Sequence, residues 1–172
     1  MDKHVIVING AGGVGKDTLC DMAAEKFRVY NVSSITPIKE IAKRCGWHGE
    51  KDDKARKFLS DLKRLTIEYN DFPTSQMMKE YDKFLSGNFE LMFVHIREGE
   101  EIDKFVRATD KRAKTLLILG GDRFEKTHPR PYGNVSDDDV EKYDYDYVFV
   151  NDKPLEQTKD IFIKFLEENI LI

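Results

Sequence analysis

VIVINGAGGVGKDTLC, residues 5–20, runs from an apolar stretch through a glycine-rich turn into the start of a second patterned segment. Val5-Ile6-Val7-Ile8 is apolar and β-branched throughout, which reads as a strand buried on both faces. Leu19, Cys20, Ala23 and Phe27 recur at helical spacing and predict a helix from about Lys16. The turn between them satisfies two patterns. Gly10, Gly12 and Gly15 spell G-x-G-x-x-G, a dinucleotide-binding turn, while Gly10 to Lys16 spell G-x-x-x-x-G-K, a phosphate-cradling loop. The first pattern needs an acidic residue about 20 positions on to bind a ribose. That region reads YNVSSITP, residues 30–37, without Asp or Glu, so the dinucleotide reading fails. The second passes its test, because the loop follows a buried strand and opens a helix whose free N–H groups favour an anion. Gly10, Ala11, Gly12, Gly13, Val14 and Gly15 form the cradle, and Lys16 supplies a point charge for the β and γ phosphates.

The next position is irregular. Such loops ordinarily continue Lys-Ser or Lys-Thr, whose hydroxyl meets a metal ion. Here Lys16-Asp17-Thr18 delays the hydroxyl by one residue and inserts a carboxylate beside the anion site. Two readings stand: a solvent-facing acid favoured by the helix N-terminus, or a group that holds Mg²⁺ with Thr18 or orients an acceptor.

Outward from the loop, VYNV (29–32), LMFVHI (91–96), KTLLIL (114–119) and YDYVFV (145–150) predict four further strands. Helices are expected from Pro37 to about Arg44, over 52–70 with Asp52 or Asp53 as cap, from beyond Pro73 to near Gly87, over EIDKFVRA (101–108) and from Leu155 onward. Strands alternating with helical crossovers predict an α/β fold, three layers deep, with a five-stranded parallel sheet. A helical stretch, 37–88, separates the second and third strands. A polar stretch, 120–139, has almost no periodicity and reads as irregular. Within it, Asp137-Asp138-Asp139 after Ser136 reads as the cap of a short helix. The apolar face of 58–69, with Phe58, Leu65 and Tyr69, reads as core.

A length of 172 residues fits one domain, 1–172. A net charge of -4 leaves no basic footprint for nucleic acid. No apolar window reaches the length of a membrane span or a signal peptide, so neither is expected. Cys20 and Cys45 have no metal or paired spacing, which favours a reducing, cytoplasmic setting. Monomer and homodimer remain open, and the histidines His4, His48 and His128 make no metal spacing.

Gly-Lys-Asp-Thr at 15–18 resembles the variant loop of small P-loop kinases, notably phage-type deoxynucleoside monophosphate kinases and the animal phosphomevalonate kinase group. ITPIKEIAKRCGW (35–47) is similar to the segment after the second strand of the phage-type enzymes, with Pro37 and Lys39 matching. YDYVFVNDKPLEQTKDIF (145–162) resembles the last strand and helix of guanylate and dephospho-coenzyme A kinases. The resemblance implies a P-loop NTPase fold, ATP and Mg²⁺ as cofactors, and a (deoxy)nucleoside monophosphate as acceptor. It places Asn151 and Asp152 near the adenine, makes 37–88 an acceptor-binding insert, and makes 120–139 a short lid. The phage-type enzymes end the third strand Asp-x-Arg; His95-Ile96-Arg97 keeps the arginine and replaces the acid, so His95 inherits no metal or base role.

Phosphoryl transfer needs cations around the moving group. Arg97, just past a strand end, is a candidate against the alternative of a salt bridge to Glu100 or Glu101. Arg123 and Arg130 are candidates in the lid, although THPRPYGN (127–134) also suits a rigid surface loop. Lys39, Arg44, Arg56, Lys63 and Arg64 are candidate acceptor-side cations; most lie on polar helix faces where charge is usually just solvated, and Lys39 and Arg44 are the two preferred. A GTPase-like switch is disfavoured, since no Asp stands three residues before a glycine and Asn-Lys does not occur. A regulatory P-loop protein without transfer activity, or a kinase of another phosphorylated metabolite such as dephospho-coenzyme A, remains as the alternative.

Overall fold

The computed structural model describes residues 2–132 and 135–172, without the side chains of Val135 and Ser136. The chain runs β1 (His4–Asn9), α1 (Lys16–Ala24), β2 (Val29–Ser33), α2 (Thr36–Arg44), α3 (Asp53–Asn70), α4 (Phe72–Ser86), β3 (Leu91–His95) and α5 (Gly99–Ala108). It continues β4 (Ala113–Gly120), α6 (Asp122–Thr127), α7 (Val135–Asp138), a 3₁₀ turn (Val140–Lys142), β5 (Tyr147–Asn151) and α8 (Leu155–Asn169). All strands pair in parallel, in the order β2-β3-β1-β4-β5. The expected three-layer α/β fold with five parallel strands is the observed one.

Alternation along β1 explains the layering. Ile6 and Ile8 point into one core with Leu19 and Ala23 of α1 and Phe162 and Leu166 of α8. Val5 and Val7 point into the other, with Met77, Tyr81 and Phe84 of α4 and Ile102 and Phe105 of α5. A strand that feeds both cores must be apolar at every position, as residues 5–8 are. Because β1 lies between β3 and β4, the chain reverses its winding direction at the C-terminal end of β1, where open α/β sheets bind ligands.

Local chemistry sets the element ends. The Asp52 carboxylate accepts from the Ala55 N–H at 2.8 Å and caps α3. Asp71, at φ 52, makes the left-handed turn that separates α3 from α4, and Pro73 occupies the first turn that follows. Lys3 Nζ donates to the carbonyls of Phe84, Gly87 and Phe89 at the negative end of α4.

Four expectations are corrected. The stretch 120–139 is not irregular throughout, because it contains α6 and α7. Its six- and four-residue helices are too short to show an apolar stripe. The last strand starts at Tyr147 rather than Tyr145. Asp146 instead accepts from the Thr115 N–H and hydroxyl, at 2.8 and 3.0 Å, and Tyr145 turns inward. The aromatic face of α3 is not core: Phe58, Leu65 and Tyr69 are 37%, 54% and 87% exposed. Finally, Asp137 and Asp138 lie inside α7, and Asp139 precedes the 3₁₀ turn without a side-chain capping bond. The Ser136 side chain, and Gly133 and Asn134 at the end of THPRPYGN, lie outside the described residues.

Candidate active site

The loop between β1 and α1 wraps as a cradle. Gly15 has φ +100, and a Cβ there would stand 2.6 Å from the Asn151 amide nitrogen. A Cβ on Gly10 would stand 2.6 Å from the Ile118 carbonyl oxygen. Only glycine fits either place, so the loop packs against the ends of β4 and β5. Asn9 fastens its base. The buried Asn9 amide donates to the Arg97 carbonyl and the Tyr145 hydroxyl, both at 2.9 Å, and its oxygen accepts from the Gly10 N–H. Tyr145 in turn donates to the Val140 carbonyl at 2.6 Å. Burial pushes the Tyr145 phenol up to about 12, so it stays protonated and can donate at neutral pH.

Lys16 curls back to donate to the carbonyls of Gly10 and Ala11. Burial, reinforced by the Arg97 guanidinium and partly offset by Asp137 and Asp17, brings its ammonium down to about 8. Asn151 donates to the Val14 carbonyl at 2.9 Å, tying the end of β5 to the loop.

Cavities lie on both sides of the loop. On one side, a cavity of 1170 Å³ is bounded by Gly13 to Gly15, Arg123 of α6, and Asn151, Asp152 and Pro154. On the other, a cleft of 830 Å³ runs from Lys16, Asp17 and Thr18 to Arg97 and to Lys39, Arg56 and Lys63 on α2 and α3. It meets a third cavity of 550 Å³ beneath α2 and α4, which shares Asp17, Lys39 and His95 with it. Gly13 and Gly15 border both the 1170 and the 830 Å³ spaces, so a chain of phosphates laid in the cradle would have room for a base on one side and an acceptor on the other.

The donor sets fit the two expected cofactors. The glycine cradle with Lys16 suits a polyphosphate. Asp17 and Thr18 are exposed into the cleft and offer hard oxygen atoms, which suits Mg²⁺ held by one or two protein oxygens together with phosphates and water. Among the described residues no cluster of three or more His, Cys, Asp or Glu side chains could hold a metal alone.

The expected site residues do not all converge. Gly10 to Thr18, Lys39, Arg97, Arg123, Asn151 and Asp152 surround the loop and its cavities. Arg44 is exposed at the far end of α2 and lines none of these spaces. Arg130 also lines none of them; it pairs with Glu125 at 2.9 Å and with Glu141. Arg97 pairs with neither Glu100 nor Glu101 but with Asp137, at 2.6 Å. Asp137 also accepts from the Gly12 N–H at 3.2 Å. His95 stands 2.9 Å from the Asn31 amide oxygen, and burial lowers its basicity.

Two site residues, Asn9 and Asp137, escape sequence reasoning, and a third, Arg56, is a candidate that it passes over. Asn9 was visible only as a lone polar residue ending an apolar strand. Arg56 lies on a polar helix face that resembles any solvated one, yet lines the cleft without an ion-pair partner among the described residues. Asp137 sits in an acidic run with no periodicity to aim it.

No protein-family profile matches the sequence, and no curated protein is similar to it in sequence. The solved structures of similar fold include a putative kinase from Chloroflexus aurantiacus J-10-fl, with a TM-score of 0.55 and 10% identity over 99% of this chain and 100% of that one. A shikimate kinase from Aquifex aeolicus aligns with a TM-score of 0.47 and 15% identity, over 95% and 96% of the two chains. No helix among the described residues is long and apolar enough to cross a membrane. With the loop motif at the switch point of a five-stranded parallel sheet, and with the whole-length likeness to the Chloroflexus protein, the chain has a three-layer P-loop α/β/α fold.

Proposed function

We propose that this chain is an ATP- and Mg²⁺-dependent phosphotransferase acting on a small phosphorylated acceptor, with a (deoxy)nucleoside monophosphate as the first choice of acceptor. The observation that carries this reading is the placing of the loop between two cavities, with Gly13 and Gly15 at their junction and Lys16 and further cations lining the acceptor side. The similar fold of the putative kinase from Chloroflexus aurantiacus agrees with it. The monophosphate preference rests on the loop and on the 35–47 and 145–162 segments, and it places the reaction among transfers to a phosphate group.

In this reading ATP supplies the transferable phosphoryl group and Mg²⁺ neutralises charge on its oxygens. The loop backbone and Lys16 hold the phosphates, and Asp17 and Thr18 hold the metal. Asn151, Asp152 and Arg123 border the base. Arg97 and Lys39, joined by Arg56, would draw the acceptor's anionic end toward the loop, where the charge that develops would meet fixed cations. The helical insert, 37–88, is the acceptor side of one domain, and the lid stretch, 120–139, borders the donor cavity through α6 and reaches the loop through Asp137. Arg130, held by two carboxylates, braces that stretch, and Arg44, which lines none of the cavities, takes no part in the transfer.

The test is ADP release with ATP, Mg²⁺ and a panel of nucleoside monophosphates, dephospho-coenzyme A and phosphomevalonate. Acceptor-dependent turnover is expected, and Lys16→Ala lowers it by about 10²–10³-fold. Tight ATP binding with no acceptor-stimulated turnover would sink the kinase reading in favour of a regulatory nucleotide-binding protein.

A further inference from the structure

Asp137 of α7 has no role in the reaction described so far, yet its carboxylate reaches the phosphate loop from 125 residues away along the chain. Asp137 Oδ1 accepts from the Gly12 N–H at 3.2 Å and from the Arg97 guanidinium at 2.6 Å. A Cβ on Gly12 would lie 3.4 Å from Oδ2, so the carboxylate lies against the loop itself. The Asp137 side chain is only 14% exposed, and its charge raises the basicity of Lys16 against the effect of burial. A backbone N–H of a glycine loop, an arginine and a nearby lysine are the donors that an anionic phosphate oxygen would use.

We propose that Asp137 is a built-in competitor for the phosphate site: its carboxylate takes the Gly12 and Arg97 donors, so its contacts and nucleotide binding exclude one another. The inference rests on the reading of the loop as a nucleotide site. A carboxylate and a phosphate oxygen facing the same N–H and the same guanidinium repel one another, since no cation lies between them there. Gly12 and Arg97 border the acceptor-side cleft rather than the cavity beside Asn151. Asp137 therefore blocks the end of the loop where the transferred group belongs, and the base side stays open. Nucleotide affinity is set by how often α7 releases the loop, which gives the protein a place to be activated by anything that binds α7 elsewhere.

The test is equilibrium binding of ATP and of ADP, with Mg²⁺ and no acceptor, to the wild type, Asp137→Asn and Asp137→Ala, with thermal melts to verify folding. A contact formed nine-tenths of the time costs the wild type about tenfold in apparent affinity. Both variants are thus expected to bind ATP about tenfold more tightly, with a smaller gain for ADP, which lacks the terminal phosphate. Unchanged or weaker ATP binding in both variants overturns the competitor and leaves the kinase reading intact, as does an equal gain for ATP and ADP. No binding of ATP to any of the three proteins overturns both.

Discussion

Lys16 stands where a cation is hardest to keep. Its ammonium is held by two carbonyls of its own loop, with the Arg97 guanidinium acting against it, and burial is the largest reason that its pKa falls to about 8. A polyphosphate in the cradle adds negative charge and raises that value again. When the bound pKa exceeds the free one, the affinity supplied by the charge is complete below the free value, pH 8 here, and is lost as pH rises above it. The loss approaches about tenfold per pH unit until the bound pKa is reached. ATP binding at pH 8.5–9 should therefore take up a fraction of a proton, visible calorimetrically as a dependence of the heat on buffer ionisation enthalpy. Lys16→Arg, charged throughout, should show no uptake from this position. Equal uptake in both proteins would remove Lys16 as the source.

At the scale of elements, α3 is the one whose meaning changes most between sequence and structure. Its 3.6-residue pattern locates it correctly, and Asp52 caps it, but the pattern does not describe a buried face: Ala55 is the only buried residue along 18 positions. The helix works through its polar side. Arg56 and Lys63 line the cleft, Lys63 held by Glu98 at 2.6 Å and Arg56 with no ion-pair partner among the described residues. A hydrogen bond to a charged group contributes about 1.5–3 kcal/mol. Arg56→Gln should accordingly raise the acceptor KM by roughly ten- to a hundredfold and leave the ATP KM unchanged. Arg64→Gln is the control, since Arg64 is engaged by Asp61 and Glu68. Equal KM effects from the two substitutions would make Arg56 a solvated charge after all. The same helix shows what sequence can and cannot convey here. Periodicity and loop chemistry are local, so the five strands, the parallel sheet and the phosphate loop were legible. Which polar face meets a cleft depends on how α2, α3 and α4 pack on one another, and that depends on contacts far apart in the chain. Asn9 and Asp137 were hidden for the same reason, because their partners lie 88 and 125 residues away.

Across the whole molecule, β1 is the common wall of both cores, and the loop is its direct continuation. Ile6 and Ile8 serve the α1–α8 side, and Val5 and Val7 the α4–α5 side, all of them nearly inaccessible. The loop is further bound to β3 through Asn9 and Arg97, and to β5 through Asn151 and Val14. A ligand in this loop is thus attached to every strand except the edge strand β2, and local unfolding that frees the ligand must break one of the two cores. Binding should consequently stabilise the chain as a unit rather than fasten one loop. A ligand at a hundred times its Kd contributes about 2.7 kcal/mol to the folded state. For a chain of this size about 1 kcal/mol moves Tm by roughly 2–4 °C. Mg-ATP at that excess should therefore raise Tm by about 5–11 °C in a single cooperative transition. In Lys16→Ala at the same ATP concentration the shift should shrink to a small fraction, because the binding energy and not the fold is lost. A biphasic melt, with only the first phase responding to ATP, would mean that the loop and its flanking helices unfold apart from the rest. Such a result would overturn the two-core attachment while leaving the nucleotide site in place.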